Sequence, residues 1–258
     1  MSSHRFKTSE QAVPGLKAEV YEIATLQRVI QNHASGAEIA EHYHATGQRQ
    51  VRFTLENAGI LLEPGAFLYS HGRIVSAVRQ HEKGGMLTRA LRGNATGESA
   101  FATSFDGTGD VWTELTRQHF VIAELDGQDD LLLDDRAFYA CQNTVQLTTH
   151  MHRGVSGVLS GNGFAQPRLS GRGLFVVESP VAAEEIEVVE LRGEELVLDG
   201  DLMLMYSASL QVQLRPLVRG LRSAMRSGEG LVYVLSGHGQ VFFTPTHRKA
   251  SIASVGEL

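Results

Sequence analysis

The chain has 258 residues, of which 23 are Lys or Arg and 29 are Asp or Glu, with a formal charge of −6 and a hydrophobic share of 42%. That balance excludes a general nucleic-acid surface, which carries a strong basic excess, and no apolar run reaches the roughly 20 residues that span a bilayer as a helix. A single cysteine, Cys141, excludes an internal disulfide framework and fits a reducing compartment.

The first residues, Met1 to Thr8, hold neither the apolar stretch of a secretory signal nor an Arg-rich amphipathic presequence, so a cytoplasmic location is expected. Residues 1–16 are polar and include Pro14 and Gly15, which predicts an extended or mobile end. Val20, Tyr21, Ile23 and Val29 suit strands, so residues 1–50 are expected to be a strand-rich extension packing on or flanking the main body. Turns are expected at Ser35-Gly36 and at Ala45-Thr46-Gly47.

From Val51 the pattern sharpens. Val51, Phe53 and Leu55 alternate with Arg52, Thr54 and Glu56, the period of a strand with one buried face. A turn at Asn57-Ala58-Gly59, a short strand Ile60–Leu62, a turn at Pro64-Gly65 and a strand Ala66–Tyr69 follow. Thr88 to Ser99 is glycine-rich and polar, and predicts a surface loop. Three Gly-x-Gly pairs then stand out, at Gly107 and Gly109, Gly171 and Gly173, and Gly237 and Gly239, each flanked by apolar runs. Each reads as a hairpin turn in which glycine takes a positive φ at little steric expense.

These pairs belong to a repeat. Ser170-Gly171-x-Gly173 returns 66 residues later as Ser236-Gly237-x-Gly239, and Arg153-Gly154-Val155 returns as Arg219-Gly220-Leu221 at the same offset; Gly107 lies 64 residues before Gly171. The expectation is an all-β sandwich or barrel of three internal repeats, over about 51–115, 119–180 and 185–246, with approximate threefold pseudo-symmetry. One domain would cover 51–246, with a tail at 247–258. The run 231–235 is apolar on both faces and should lie between layers, while Pro167 predicts an edge or a bulge.

Two stretches carry a family resemblance. Glu63-Pro64-Gly65-Ala66-Phe67-Leu68-Tyr69-Ser70-His71-Gly72 resembles an EPGAMVYMSG motif, and residues 228–243 resemble a closing GEGLV…GxGxVY motif. The family is that of altered inheritance of mitochondria protein twenty-four (mitochondrial biogenesis), and the resemblance covers residues 50–246. It implies a TRAP-like all-β fold, after the tryptophan-responsive RNA-binding attenuation protein, and no known catalysis. Eukaryotic members are linked to mitochondrial inner-membrane organisation, a role not expected here, where the first residues show no targeting pattern. Nor does the fold imply RNA binding, since function belongs to sites.

The chemistry-bearing residues form no complete set. His42 and His44, like His150 and His152, would each share one face of a strand, as metal-binding barrels require, but no third histidine and carboxylate follow in order. Cys141, Ser156 and Ser160 lack an activating context. Asp129-Asp130 and Asp134-Asp135 read as the acidic ends of a hairpin, and Trp112 as core. Arg215 to Arg226 could form a local basic patch, with a solvated face as the plainer reading. The expected function is therefore non-catalytic, with no cofactor and no metal: an assembly or protein-interaction component, with self-association through unguarded strand edges; Val51-Phe53-Leu55 has no guard of its own and either pairs with residues 1–50 or meets another chain. A small-molecule or lipid-binding module, using a cleft between repeats, is the alternative. A metal-dependent cupin-like enzyme is the second alternative.

Overall fold

The computed structural model describes residues 4–33, 36–78, 102–134, 136–152, 164–216 and 231–246. The first strand, β1 (Arg5–Val13), turns at Pro14-Gly15 into β2 (Leu16–His33), with Gly15 at φ 80°. Proline presets one turn torsion and glycine accepts the positive one, so the extended or mobile end expected over residues 1–16 is extended and folds back as a hairpin. A second hairpin joins β2 to β3 (Gly36–Leu62), and Leu16, Ala18 and Val20 lie opposite Leu55, Phe53 and Val51. All six side chains are buried. The alternating strand is therefore covered from within the chain and offers no open edge there.

β3 runs unbroken through two places where turns were expected. Gly47 (φ 70°) and Asn57 (φ 54°) sit at register shifts against β2 and against the strand on its other side. Both are bulges, because the ladders resume on either side, at Ala45 and Arg49 and at Glu56 and Ala58. The Pro64-Gly65 turn is tight: the Ala66 N–H donates to the Glu63 carbonyl at 3.1 Å, and Gly65 holds φ 86°. It leads into β4 (Phe67–Val78), which pairs with β5 (Thr103–Thr113), itself paired with β3.

β6 (His119–Asp126), β7 (Leu131–Leu133), β8 (Phe138–Gln142) and β9 (Val145–His152) all pair with one long strand, β10 (Phe164–Ser179). β11 (Glu187–Asp199), β12 (Met203–Ser207) and β13 (Gln211–Pro216) pair likewise with β14 (Leu231–Phe243). Every pairing is antiparallel, and all 14 strands join one hydrogen-bonded network. The helical content among the described residues is two 3₁₀ turns, Ala183–Glu185 and Gly200–Leu202. An all-β fold is thus what the alternating patterns produce. Thr88 to Ser99 and the tail from His247 lie outside the described residues.

The six glycines of the Gly-x-Gly pairs are not hairpin turns. Gly107 and Gly109 lie inside β5, Gly171 and Gly173 inside β10, and Gly237 and Gly239 inside β14, all at φ between 94° and 157°. The strands bend there and continue. β10, for instance, leaves β9 at Gly171 and runs on against β6 and β8. Positive φ was expected at these positions; what differs is that the flanking segments pair with third strands and not with each other.

Pro167 stands opposite Thr149 of β9, while the β7 pairing begins only at Arg168, so its missing N–H leaves no gap in a ladder. The Gln166 amide, fully buried, instead donates to the Leu133 carbonyl at 3.2 Å. Val232, Tyr233, Val234 and Leu235 of β14 are all buried, with β11 on one side and β13 on the other.

Candidate interaction surface

His150 and His152 do share a face of β9, with ring centroids 4.6 Å apart. His152 Nε2 lies 2.9 Å from Gln166 Oε1 and 3.3 Å from the Tyr206 hydroxyl, which itself donates to Gln166 Oε1. Tyr206 and Gln166 are fully buried, so the group is a satisfied polar knot tying β9, β10 and β12 together. His44 is exposed on β3, and the side chain of His42 lies outside the described residues. Among the described residues no three His, Cys, Asp or Glu side chains cluster to hold a metal ion.

Burial lowers the pKa of His150, helped by the Arg168 charge. Burial also lowers that of His152, against an opposing hydrogen bond to Gln166. His119 is lowered by burial and by Arg49. The folded protein therefore declines protons that the unfolded chain accepts near its ordinary value of 6.5. The stability these groups contribute is complete above that value and is lost as the pH falls below it. Melting temperature should fall between about pH 6.5 and pH 5, and His152→Gln should flatten part of the slope. An unchanged melting temperature across that window would contradict the placement of these rings.

Cys141 is buried beside the Val145 carbonyl. Asp130 holds Arg168, and Asp134 accepts the Arg136 N–H. Ser156, Ser160, Asp135 and residues 217–230, with Arg219, Arg222 and Arg226, lie outside the described residues. A concavity lined by Asp134, Arg136, Asp201 and Thr244 encloses about 20 Å³, room for little more than one water.

What the strands do present is apolar surface at an open edge. Phe67, Leu68 and Tyr69 begin β4 at 40, 39 and 40% exposure. The like segments of β8 (Phe138, Tyr139, Ala140) and β12 (Met203, Leu204, Met205) are all at 8% or less. Neighbours make the difference. β8 lies between β3 and β10, and β12 between β7 and β14, whereas β4 pairs only with β5 among the described residues. At the far end of the network β11 pairs only with β14 among the described residues, and leaves Val188 and Val197 exposed at 52 and 43%. β1, another edge, carries Lys7 paired with Glu10, the charged guard that natural edges use.

The β4 edge is held stiffly from behind. Tyr69 stacks on Trp112 at 6.0 Å, Tyr21 tilts against the same indole at 5.3 Å, and the Arg5 guanidinium lies 4.7 Å from its centroid. Arg52 also reaches the indole and is forked onto Asp110 at 2.8 and 3.1 Å. Burial opposes ionisation of Asp110, but the hydrogen bonds from Arg52 and Thr54 outweigh it and hold the carboxyl below its ordinary range. Phe67 stacks on Phe105 at 4.8 Å. Trp112 is core, as its sequence context indicates, and it braces an edge that is already shaped. The sequence places a strand at Ala66–Tyr69, one residue ahead of the observed start at Phe67, but does not disclose its exposure, because an unbroken apolar run reads as buried.

A family model described as Mitochondrial biogenesis AIM24 matches residues 43–246. No curated protein matches the chain. Among solved structures, a crystal structure of a Streptococcus pyogenes protein superimposes with a TM-score of 0.58 at 18% identity, covering 90% of this chain and 98% of that one. At that identity the likeness speaks for the fold alone.

Proposed function

The chain belongs to the mitochondrial biogenesis AIM24 family, and from that premise we propose that it is a non-catalytic assembly protein that works through its strand edges. One observation carries the reading: Phe67, Leu68 and Tyr69 form a braced apolar edge that no strand among the described residues covers. A docking strand there would gain backbone hydrogen bonds and apolar burial together, the latter worth roughly 1.5–3 kcal/mol for each large side chain fully covered. The lone cysteine, buried and unbridged, fits assembly in a reducing compartment such as the cytoplasm. No helix among the described residues is long and apolar enough to cross a membrane.

In extracts of cells making the protein at its native level, the chain should migrate in a complex well above its own 28.1 kDa. Leu68→Lys, which puts a charge into the apolar edge, should return it to the mass of the single chain. Wild-type protein migrating at 28.1 kDa in such extracts would overturn the reading.

A further inference from the structure

We propose that the open β4 edge and the open β11 edge are two halves of one seam, so that β4 of one copy pairs antiparallel with β11 of a second copy, head to tail. The inference rests on the assembly reading above and names its partner.

The register comes from two seams already closed inside the chain. In the first, Ile60, Leu61 and Leu62 of β3 stand opposite Gln142, Cys141 and Ala140 of β8. In the second, Leu131, Leu132 and Leu133 of β7 stand opposite Ser207, Tyr206 and Met205 of β12. Both join an apolar triplet to a segment just past a one-residue slip. β8 slips against β10 between Phe138 and Ala140, and β12 slips against β14 between Met203 and Met205.

The same combination, a one-residue slip and an apolar triplet, recurs on β4 and β11. β4 slips against β5 between Phe67 and Tyr69. The triplet is Leu196-Val197-Leu198 on β11, and its frame is fixed by its other neighbour: Leu196 faces Leu235, as Leu131 faces Leu169 and Ile60 faces Phe105. Each of those three partners lies two residues before a Gly-x-Gly pair. On the register of the closed seams, Leu196 faces His71, Val197 faces Ser70 and Leu198 faces Tyr69.

Exposure points the same way. Leu61, Leu132, Cys141 and Tyr206, at the centres of the closed seams, are at 7, 1, 2 and 0%. Val197, at the centre of the open one, is at 43%, and Tyr69 beside it at 40%. β4 and β11 are also the two ends of one continuous hydrogen-bonded run, β4-β5-β3-β8-β10-β7-β12-β14-β11. A second copy therefore extends the run as the chain already extends itself. Because the two surfaces differ, the contact is heterologous, and it closes into a ring or goes on adding copies.

The test uses the purified full-length chain. Light scattering at tens of micromolar should give at least twice 28.1 kDa. Ser70→Lys and Val197→Lys should each be monomeric alone, and an equimolar mixture should form a dimer that stops at two, since each variant keeps the edge the other lacks. In a second measurement, the double variant Ser70→Cys with Val197→Cys should give a ladder of covalent multimers on mild oxidation, because directly opposed strand residues stand within disulfide reach. Ser70→Cys with Leu196→Cys, one residue out of register and so on opposite faces, should not. Covalent dimers from either single cysteine variant would overturn the head-to-tail pairing, and a ladder only from the shifted pair would overturn the register. A purified monomer without a ladder overturns the second copy as partner; the extract experiment then shows separately whether the assembly reading stands.

Discussion

Gly109→Ala is expected to destabilise the protein by about 4 kcal/mol or more, the range that single substitutions reach only through a named structural fault. Gly109 sits in the middle of β5 at φ 147°. A Cβ there would stand 2.2 Å from the His71 carbonyl oxygen and 2.9 Å from the Gly72 Cα, both backbone atoms of β4. β4 cannot step aside, because it is paired to β5 from Thr113 to Thr103 on both sides of the contact. Gly237→Ala provides the comparison. It also has positive φ, at 116°, but its added carbon would meet nothing closer than the Leu210 side chain at 3.7 Å. Only backbone strain remains, about 1–2 kcal/mol. Urea denaturation of the two variants should therefore separate them by more than their shared torsional penalty. Equal losses would show that β4 does not press on β5 as closely as its backbone path requires.

The second large effect belongs to Phe175→Ala, with an expected loss of about 3–5 kcal/mol. Phe175 is 2% exposed in the strand that more strands pair with than any other among the described residues. It lies opposite Ala123 of β6 on one side and Cys141 of β8 on the other. Leu125, Leu133, Leu169 and Leu204, from β6, β7, β10 and β12, belong to the same buried apolar cluster, so the lost side chain leaves a gap in a core shared by several paired strands. Phe67→Ala removes the same atoms from an edge residue that is 40% exposed. Its loss in the monomer should be about 1.5 kcal/mol or less, chiefly its stacking on Phe105. Two phenylalanines of equal size would then differ by a factor of at least two in equilibrium unfolding. If their losses match, the burial contrast between β4 and β10 is wrong.

Much was legible in the sequence, and for a local reason. The all-β class follows from alternation with period two in stretches such as Val51-Phe53-Leu55, and alternation is a property of the strand itself. Pro64-Gly65 announces its turn because each residue supplies the torsion its position needs. The apolar run of β14 announces burial on both faces, and His150-x-His152 announces two rings on one face.

Tertiary structure decided the rest. A glycine at positive φ serves a hairpin and a mid-strand bend equally well, so Gly171 could not say which it was; partners many residues away, β9 before it and β6 and β8 after it, made it a bend. Val51-Phe53-Leu55 has no guard of its own, and of its two possible covers, residues 1–50 or another chain, the pairing with β2 selects the first. His150 and His152 look like half a metal site until Gln166 and Tyr206 arrive from other strands and engage His152. Phe67-Leu68-Tyr69 and Phe138-Tyr139-Ala140 are nearly the same phrase, yet one is open and the other closed. Strand periodicity says which side chains share a face, whereas exposure depends on which strand docks alongside, and that is set by pairings the local sequence does not encode.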